Sequence, residues 1–356
     1  MSVVVLRVSV DTLEVSLHGE LSVEVVGELD VLKSQAQREE CPQRFRDTKL
    51  FVEPRAFGRW RWRLSCPDFS VVAALPASVH AGNRANAQIR LSAYGLSTRG
   101  QSELLSEALD AVKVFGKYRE RNVARLDVCA DVQGWTPTYE EMQGMVCPAV
   151  YRGIHLAGAR PQTFQYGKGP LALRVYDKTA ELAHSGKGWM ALVWHGCEGY
   201  DETLPVTRIE TQMRSGPLGE IGLGTGAQAL AQAGSAFEWA LRKWCQLRVP
   251  AGDKKVTRWA DHPVWLQLRS SALSAGPCER ARRKANLMAF EDAAKRLIGL
   301  AALAGAHYGG CDYIKAVQLL SDAAEARMLS DHVDFAEEVG KKRKRLEAEC
   351  VADVPF

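Results

Sequence analysis

Three short segments of the chain place charged and polar side chains at every second position. Successive side chains of a β-strand point to opposite faces of the sheet, so residues two apart share a face. The shared-face sets are Arg125, Asp127, Cys129 and Asp131; Arg174, Tyr176 and Lys178; and Arg208, Glu210, Gln212 and Arg214. If these strands are neighbours, one sheet surface holds three carboxylates, a tyrosine and several cations.

The tyrosine of this surface is a candidate nucleophile. Cleaving a DNA strand by transesterification needs an oxygen nucleophile, charge stabilisation at the phosphate and usually a metal. Tyr176 lies between Arg174 and Lys178, whose charges could lower its pKa or hold the scissile phosphate. We therefore predict that these three residues form the catalytic group.

The acidic residues are candidate metal ligands. Asp127, Asp131 and Glu210 offer hard oxygen atoms of the kind that Mg²⁺ or Mn²⁺ binds. Cys129 is too soft a ligand for such an ion, and we expect it to pack. An antiparallel sheet often has one solvated face on which charges alternate without any site. Three coincident segments, with carboxylates at mid-strand positions that strand propensity disfavours, favour a site.

These segments resemble the replication initiation factor family, which comprises the trans-acting Rep proteins of rolling-circle plasmids and phages and the relaxases of some integrative elements. The matching residues are Val10-Asp11-Thr12-Leu13 through Gly19, residues 125–131, Tyr166-Gly167, Arg174-Val-Tyr-Asp-Lys178 with Glu181, and residues 208–214. They span residues 10 to 214. The two-histidine metal motif of other rolling-circle nickases is missing, because no His-apolar-His triplet occurs among the eight histidines.

The resemblance implies an initiator that nicks and rejoins one DNA strand at an origin. Tyr176 would form a 5′-phosphotyrosine and free a 3′-OH to prime synthesis, with Asp127, Asp131 and Glu210 as metal ligands. An alternative function is a non-catalytic regulator that binds an origin or operator with the same fold. A third is a structural protein that uses the sheet as a protein interface.

DNA is the expected partner, and several cations are candidate contacts to it. They are Arg125, Arg208, Arg214 and Lys168, with a stripe formed by Arg59, Arg61 and Arg63. Gly222, Gly224 and Gly226 are not followed by Gly-Lys-Ser/Thr, so ATP binding is not expected and a host helicase would unwind the DNA. A host polymerase is a further expected partner, and a homodimer is left open because no heptad pattern in the sequence establishes one. Of two basic clusters, residues 280–284 could bind phosphates, whereas residues 341–345 favour a solvated helix face.

Three other residues are alternatives for the chemistry. Tyr166 could replace Tyr176 as the nucleophile, although packing or a DNA contact is the favoured role. His155 and His195 could donate a proton to the leaving 3′-oxygen. For each histidine, a structural role is the favoured interpretation.

Composition sets broad limits on the protein class. The chain has 356 residues, a formal net charge of +4 and a hydrophobic fraction of 46%, which is typical of a globular protein. Its nine cysteines form no CxxC pair, which argues against a disulfide framework and a structural zinc site. The N-terminus has no secretory leader pattern and the Ala-rich stretch at 297–306 is too short to span a bilayer, so a cytoplasmic location without membrane contact is expected.

The order of the elements predicts an α+β fold. The first half reads as strands, including 3–10, 13–18 and 88–93, with a helix over 101–115 and a second helix capped by Thr138. Residues 227–247 and later segments read as helices. We therefore predict a β-rich catalytic domain over 1–216, with an antiparallel or mixed sheet, and a mostly helical domain over 217–356.

Overall fold

The structure of the protein is a computed structural model that describes residues 3–75, 85–158, 160–185, 187–253, 255–271, 290–340 and 343. Contacts divide the chain into two compact units, Met1–Ala281 and Arg282–Phe356. This division lies later than the boundary predicted after residue 216. The reason is that the helices between residues 215 and 271 contact the sheet rather than forming a unit of their own.

An antiparallel sheet of eleven strands forms the centre of the first unit. Its strands lie in the order β2-β3-β4-β5-β6-β1-β7-β12-β11-β10-β9. Their bounds are β1 Val4–Leu21, β2 Gln43–Arg44, β3 Phe51–Val52, β4 Trp62–Ser65, β5 Phe69–Ala73, β6 Ala87–Leu91, β7 Gly116–Gln133, β9 Arg152–Ala157, β10 Arg160–Tyr166, β11 Leu171–Asp177 and β12 Thr207–Arg214. A separate two-stranded sheet pairs β8, Met145–Val146, with β13, Gln246–Leu247.

The two longest strands, β1 and β7, pair along their whole length. Residues 3–10 and 13–18 were predicted as two strands, but they belong to one. The register shifts between Val10 and Thr12, which leaves Asp11 as an extra residue in a bulge. The bulge directs Asp11 toward the face that carries the charged residues of β7, where it accepts a hydrogen bond described below.

Helices cover both faces of the sheet. Their bounds are α1 Val23–Glu39, α2 Ala93–Thr98, α3 Gln101–Lys113, α4 Tyr139–Met142, α5 Lys178–Ser185, α6 Trp189–His195, α7 Ser215–Glu220, α8 Gly226–Ala231, α9 Ala233–Trp239 and α10 Pro263–Ser271. A short π-helical segment, Ala240–Trp244, continues α9, and a 3₁₀ turn covers Val256–Arg258. The predicted single helix over 227–247 is therefore broken into α8, α9 and the π segment, and ends before β13.

The hydrophobic core lies between one sheet face and the helices α3, α8 and α9, which contact β7. Leu126, Val128, Ala130 and Val132 of β7 alternate with the charged residues of the same strand and are buried in this core. The capping box predicted at Thr138 is present, since its hydroxyl accepts from the N–H of Glu141 and the Glu141 carboxylate accepts from the N–H of Thr138. The predicted helix over 101–115 is confirmed as α3.

Among the described residues of the second unit, α11 Phe290–His307 contacts α12 Tyr313–Ser330. Asp312 caps α12 by accepting a hydrogen bond of 2.9 Å from the N–H of Lys315. The basic cluster at 280–284 lies outside the described residues, and so does the cluster at 341–345 except for Arg343. Within the described ranges, every helix is too short or too polar to cross a membrane.

Candidate active site

The three charged segments lie side by side as β7, β12 and β11, which confirms the predicted shared surface. Residues directly opposite one another in neighbouring strands share a face. The opposed pairs are Asp127 with Gln212, Cys129 with Glu210, Asp131 with Arg208, Glu210 with Arg174, and Arg208 with Tyr176. We call this surface the polar face; its members are Arg125, Asp127, Cys129, Asp131, Arg174, Tyr176, Arg208, Glu210, Gln212 and Arg214.

A cavity opens on the polar face beside Tyr176 and has a volume of about 510 Å³. We call it the Tyr176 pocket. It is lined by Gln162, Thr163, Arg174, Tyr176, Asp177, Glu181, His184, Ser185 and Glu210. Strands β10, β11 and β12 and helix α5 supply these residues, so a rigid sheet holds one side of the pocket and a helix the other.

The Tyr176 hydroxyl donates a hydrogen bond of 2.9 Å to Oε2 of Glu210. Arg174 donates to the other oxygen, Oε1, at 3.0 Å, and also to Gln212 at 3.4 Å. Glu210 is 7% exposed, so its carboxylate is held in place by these two neighbours with little competition from water. The phenol therefore faces a fixed proton acceptor at the wall of an open cavity.

Burial raises the pKa of Tyr176 well above its ordinary value, and the negative charge of Glu210 raises it further. The predicted lowering of this pKa by Arg174 and Lys178 is therefore wrong. The opposing influence comes from Arg208 and is smaller than the effect of burial. Tyr176 is a neutral phenol at physiological pH, and it needs a base to become a nucleophile.

Lys178 does not continue the strand as predicted. Strand β11 ends at Asp177, and Lys178 is the first residue of α5. Its side chain is buried, pairs with Glu181 one turn later and places Nζ 5.7 Å from the centre of the Tyr176 ring. Lys178 is thus close to the phenol, but its charge is already balanced by a carboxylate.

A largely buried cluster lies on the polar face next to the Tyr176 pocket. Arg208 donates to both oxygens of Asp131, at 2.6 and 2.9 Å, and to Asp11 at 2.8 Å. The Trp194 indole on α6 donates to Asp131 at 2.9 Å. We call Asp11, Asp131, Trp194 and Arg208 the Arg208 cluster. Because Arg208 is 1% exposed, it is not available to DNA, contrary to the prediction.

Charge pairing outweighs burial for Asp131. Burial alone would raise its pKa, but the Arg208 charge and the hydrogen bonds from Arg208 and Trp194 leave the pKa below its ordinary value. Asp131 is therefore ionised, and both of its carboxylate oxygens accept hydrogen bonds from Arg208 or Trp194. Its role in this structure is to orient Arg208 and to join β7, β12 and α6.

At Asp127, burial outweighs charge pairing, and the pKa rises. It is buried and accepts hydrogen bonds of 2.8 and 2.9 Å from Nε of Arg125. Burial raises its pKa to about 6, and the pairing with Arg125 only partly opposes this. Cys129, between the two aspartates, is buried against Ser9, so the prediction that it packs is confirmed.

The three predicted metal ligands do not converge. Asp127 and Asp131 are four residues apart on β7, about 13 Å along an extended strand, whereas Mg²⁺ and Ca²⁺ bind oxygen at about 2.0–2.6 Å. Each also has an arginine partner. In the described part of the chain, no group of three or more His, Cys, Asp or Glu side chains could hold a metal ion. The predicted three-carboxylate site therefore does not fit a metal.

The remaining predicted DNA contacts fall into two sets. Lys168 and Arg214 are exposed and line a second cavity of about 790 Å³ at the turn between β10 and β11. Arg125 is half-buried and paired with Asp127. In this part of the surface, the structure leaves Lys168 and Arg214 as the cations best placed to meet a phosphate.

The predicted stripe of Arg59, Arg61 and Arg63 lies at the start of β4. Trp62, between Arg61 and Arg63, and Leu64, directly after Arg63, are buried. Arg61 forms a salt bridge with Asp30, and Arg59 lies over the Trp60 ring at 4.3 Å. Arg63 is half-buried beside a different cavity. The stripe is therefore partly engaged in contacts within the protein.

The alternative nucleophile does not lie in the pocket. Tyr166 is buried, and its hydroxyl donates 2.9 Å to the carbonyl of Met142, in agreement with the favoured packing role. His155 on β9 and His195 at the end of α6 are both exposed. They do not line the Tyr176 pocket.

Sequence reasoning missed the histidine of the pocket and the structural partners of Arg208. His184 follows Glu181 by three positions on α5, so both lie on one side of this helix; that spacing, next to the Tyr176 segment, was the available signal. Asp11 belonged to the motif used for the resemblance, yet its partner Arg208 is 197 residues away. Nothing local in the sequence indicates that Trp194 reaches Asp131.

No protein-family model and no curated protein matches the chain. Among solved structures, it is similar to a rolling circle replication initiator protein from Geobacillus stearothermophilus. The identity is 15% and the TM-score 0.45, over 78% of this chain and 99% of that chain. The functional proposal therefore rests on the geometry of the site.

Proposed function

We propose that the protein is a rolling-circle replication initiator that nicks and rejoins one DNA strand at an origin, with Tyr176 as the nucleophile. The observation that supports it is the hydrogen bond of 2.9 Å from the Tyr176 hydroxyl to Glu210 at the wall of an open pocket. A tyrosine with a raised pKa reacts only if a base takes its proton in the transition state. Glu210 is the group in contact with that proton.

The chemistry needs four changes at the phosphate. The hydroxyl proton of Tyr176 passes to Oε2 of Glu210, and the phenolic oxygen attacks phosphorus. The bond from phosphorus to the 3′-oxygen breaks, and that oxygen takes up a proton from water and leaves as a 3′-OH. The product is a 5′-phosphotyrosine, and attack by a 3′-OH reverses the sequence and rejoins a strand.

The negative charge of the pocket opposes the binding of a DNA phosphate. Asp177, Glu181 and Glu210 line it together with Arg174, so carboxylates outnumber the arginine. Proton transfer makes Glu210 neutral in the covalent intermediate, which reduces repulsion of the bound phosphate and leaves Arg174 free of its partner's charge. Arg174 is then positioned to bind a phosphate oxygen. The requirement for Mg²⁺ or Mn²⁺ stays a prediction from the sequence.

The test is to identify the tyrosine that carries DNA. Protein incubated with supercoiled cognate DNA is digested, and the DNA–peptide adduct is located by mass spectrometry. We expect the adduct on Tyr176, no adduct with Tyr176→Phe, and unchanged DNA binding by that variant. Tyr166→Phe is the matched control, because it removes a hydroxyl from the other strand of the same hairpin and should still form the adduct. Nicking by Tyr176→Phe at the wild-type rate would refute the assignment.

A non-catalytic DNA-binding regulator is the second candidate function. The observation that favours it is the internal pairing of the polar face, in which Arg208 and Arg125 are each satisfied by carboxylates. The two functions separate in one experiment. Bound supercoiled DNA that stays closed with Mg²⁺, with Mn²⁺ and with chelator alike would favour the regulator.

A further inference from the structure

Two cysteines that do not line the Tyr176 pocket face each other at the end of the small sheet. In the pairing of β8 with β13, Gln246 lies opposite Val146 and Leu247 opposite Met145. Extending this antiparallel register by one residue puts Cys245 opposite Cys147. Their sulfur atoms are 2.8 Å apart, with the Cys245 thiol donating to Cys147.

The register also decides whether Cys147 and Cys245 form a hydrogen-bonded or a non-hydrogen-bonded pair of the antiparallel ladder. The N–H of Arg248 donates to the carbonyl of Gly144 at 3.0 Å, so these two residues form a hydrogen-bonded pair. Hydrogen-bonded and non-hydrogen-bonded pairs alternate along an antiparallel ladder. Counting three positions from Arg248 makes Cys147 and Cys245 a non-hydrogen-bonded pair. Its Cα atoms lie about 4.5 Å apart, within the range of about 4.4–6.8 Å that disulfides span.

The two thiols differ in reactivity and access. Cys147 is half-buried, whereas Cys245 is fully buried. The hydrogen bond from Cys245 lowers the pKa of Cys147 to about 7, against the effect of burial, with further help from the Ala149 backbone and the Arg152 charge. Burial raises the pKa of Cys245. Cys147 is thus the sulfur that an external reagent reaches first, as a thiolate.

We propose that Cys147 and Cys245 form a reversible cross-strand disulfide by exchange with a small-molecule disulfide such as oxidised glutathione. The Cys147 thiolate attacks one sulfur of the reagent, forms a mixed disulfide and releases one thiolate. Cys245 then loses its proton and attacks the Cys147 sulfur, which releases the second thiolate. The protein loses two electrons and two protons, and one reagent disulfide becomes two thiols.

The bond would join two walls of the cavity that holds Lys168 and Arg214. Residues 148–151 follow Cys147 and line that cavity on one side, and Trp244, which precedes Cys245, lines it on another. The two cysteines are 98 positions apart in sequence, so the link would close a long loop and restrict the unfolded chain. We therefore expect the oxidised protein to unfold at a higher temperature than the reduced protein.

The test uses the full chain equilibrated in glutathione buffers of increasing oxidised fraction, then quenched in acid, alkylated and digested. Mass spectrometry should find a peptide that links Cys147 to Cys245, with two of the nine thiols lost. Cys245→Ala should stop at a glutathione adduct on Cys147, and Cys147→Ala should leave Cys245 unmodified. Cys197→Ala, which changes another half-buried thiol, should form the link as the wild type does.

Two results would overturn the proposal. One is that all nine thiols of the wild type remain open to alkylation in the most oxidising buffer. The other is a glutathione adduct that persists on Cys147 of the wild type without the internal link. Both are read from the wild-type protein, so they stand even if a variant fails to fold, and neither depends on the proposed DNA chemistry.

Discussion

The Arg208 cluster and the Tyr176 pocket occupy neighbouring parts of one sheet face and use the same residue types, yet they differ in what a carboxylate can do. In the Arg208 cluster, Asp131 is held by Arg208 and by the Trp194 indole, and no part of it is exposed. In the pocket, Glu210 is held by Arg174 and Tyr176 beside an open cavity. Coverage by α6 is the difference between the two.

Pairing fixes the protonation state of a carboxylate, whereas access to a cavity decides whether that carboxylate can take part in a reaction. Asp131 has a lowered pKa and fixed partners, so it stabilises the packing of β7 against β12 and α6. Glu210 accepts a hydrogen bond from Tyr176, whose hydroxyl can give up a proton, and both residues line an open cavity. A buried ion pair is costly to break and is therefore suited to holding strands in register.

Glu210→Gln gives the largest expected effect, because it removes the base from the pocket and keeps its shape. The amide oxygen can still accept from Tyr176, but it cannot take the proton at neutral pH. We expect adduct formation to slow about 10²- to 10⁴-fold with DNA binding preserved. Single-turnover rates of adduct formation provide the measurement.

Glu14→Gln is the control for this change. Glu14 lies opposite Arg125 on β1, and its side chain is 13% exposed, compared with 9% for Glu210. It should retain the wild-type rate. An equal loss of the rate of adduct formation in both variants would contradict the role of Glu210 as the base.

Asp131→Asn should destabilise the fold instead of changing the chemistry. It leaves the Arg208 charge buried without its main partner, which costs about 3–5 kcal/mol of unfolding free energy. Urea denaturation measures the loss. Asp110→Asn, in an exposed pair with Lys113 on α3, should cost less than about 1 kcal/mol; a similar cost in both variants would contradict the contrast between buried and exposed pairs.

Asp127 provides a pH test on the same strand. Its folded-state pKa of about 6 lies above the ordinary value of 3.8, so the folded state holds the proton more tightly than the unfolded state does. Stability from this group is present below about pH 4 and is lost as pH rises through 6. The wild type should therefore lose up to about 3 kcal/mol relative to Asp127→Asn between pH 4 and 7.

Urea denaturation of both proteins at several pH values measures this loss. The stability that Asp131 contributes depends on pH with the opposite sign. Because its pKa is lowered in the folded state, this stability is lost only as pH falls below the ordinary pKa of an aspartate. A stability difference between wild type and Asp127→Asn that does not vary over the range would show that burial does not control the Asp127 proton.

The smallest effect is expected for the exposed cations. Lys168→Ala and Arg214→Ala should each weaken DNA binding about equally for all sequences and reduce the slope of log affinity against log salt by about 1. Arg61→Ala should leave the slope unchanged, because Asp30 already balances its charge. Fluorescence anisotropy over a salt series distinguishes these outcomes, and a loss of slope only in Arg61→Ala would reverse the assignment.

The polar face could be predicted from sequence because strand alternation is a local property. Residues two apart share a face whatever the rest of the chain does, and this is why Arg125, Asp127 and Asp131 were grouped correctly. The Thr138 cap is predictable for the same reason, since its partner Glu141 is three positions away. The position of Lys178 was missed because the strand ends one residue before it, and element ends depend on packing.

Local sequence patterns were enough to predict which residues alternate onto one face of a strand and that the part of the chain after β12 is mostly helical. Long-range contacts in the folded chain enclose Asp131 with Arg208 and Trp194, place Glu210 against Tyr176 at a cavity, and pack helices α7 to α10 onto the sheet. The physical reason is that burial and pairing depend on contacts between residues far apart in the chain, such as Asp11 with Arg208. Those contacts set the pKa values and the access on which the chemistry depends.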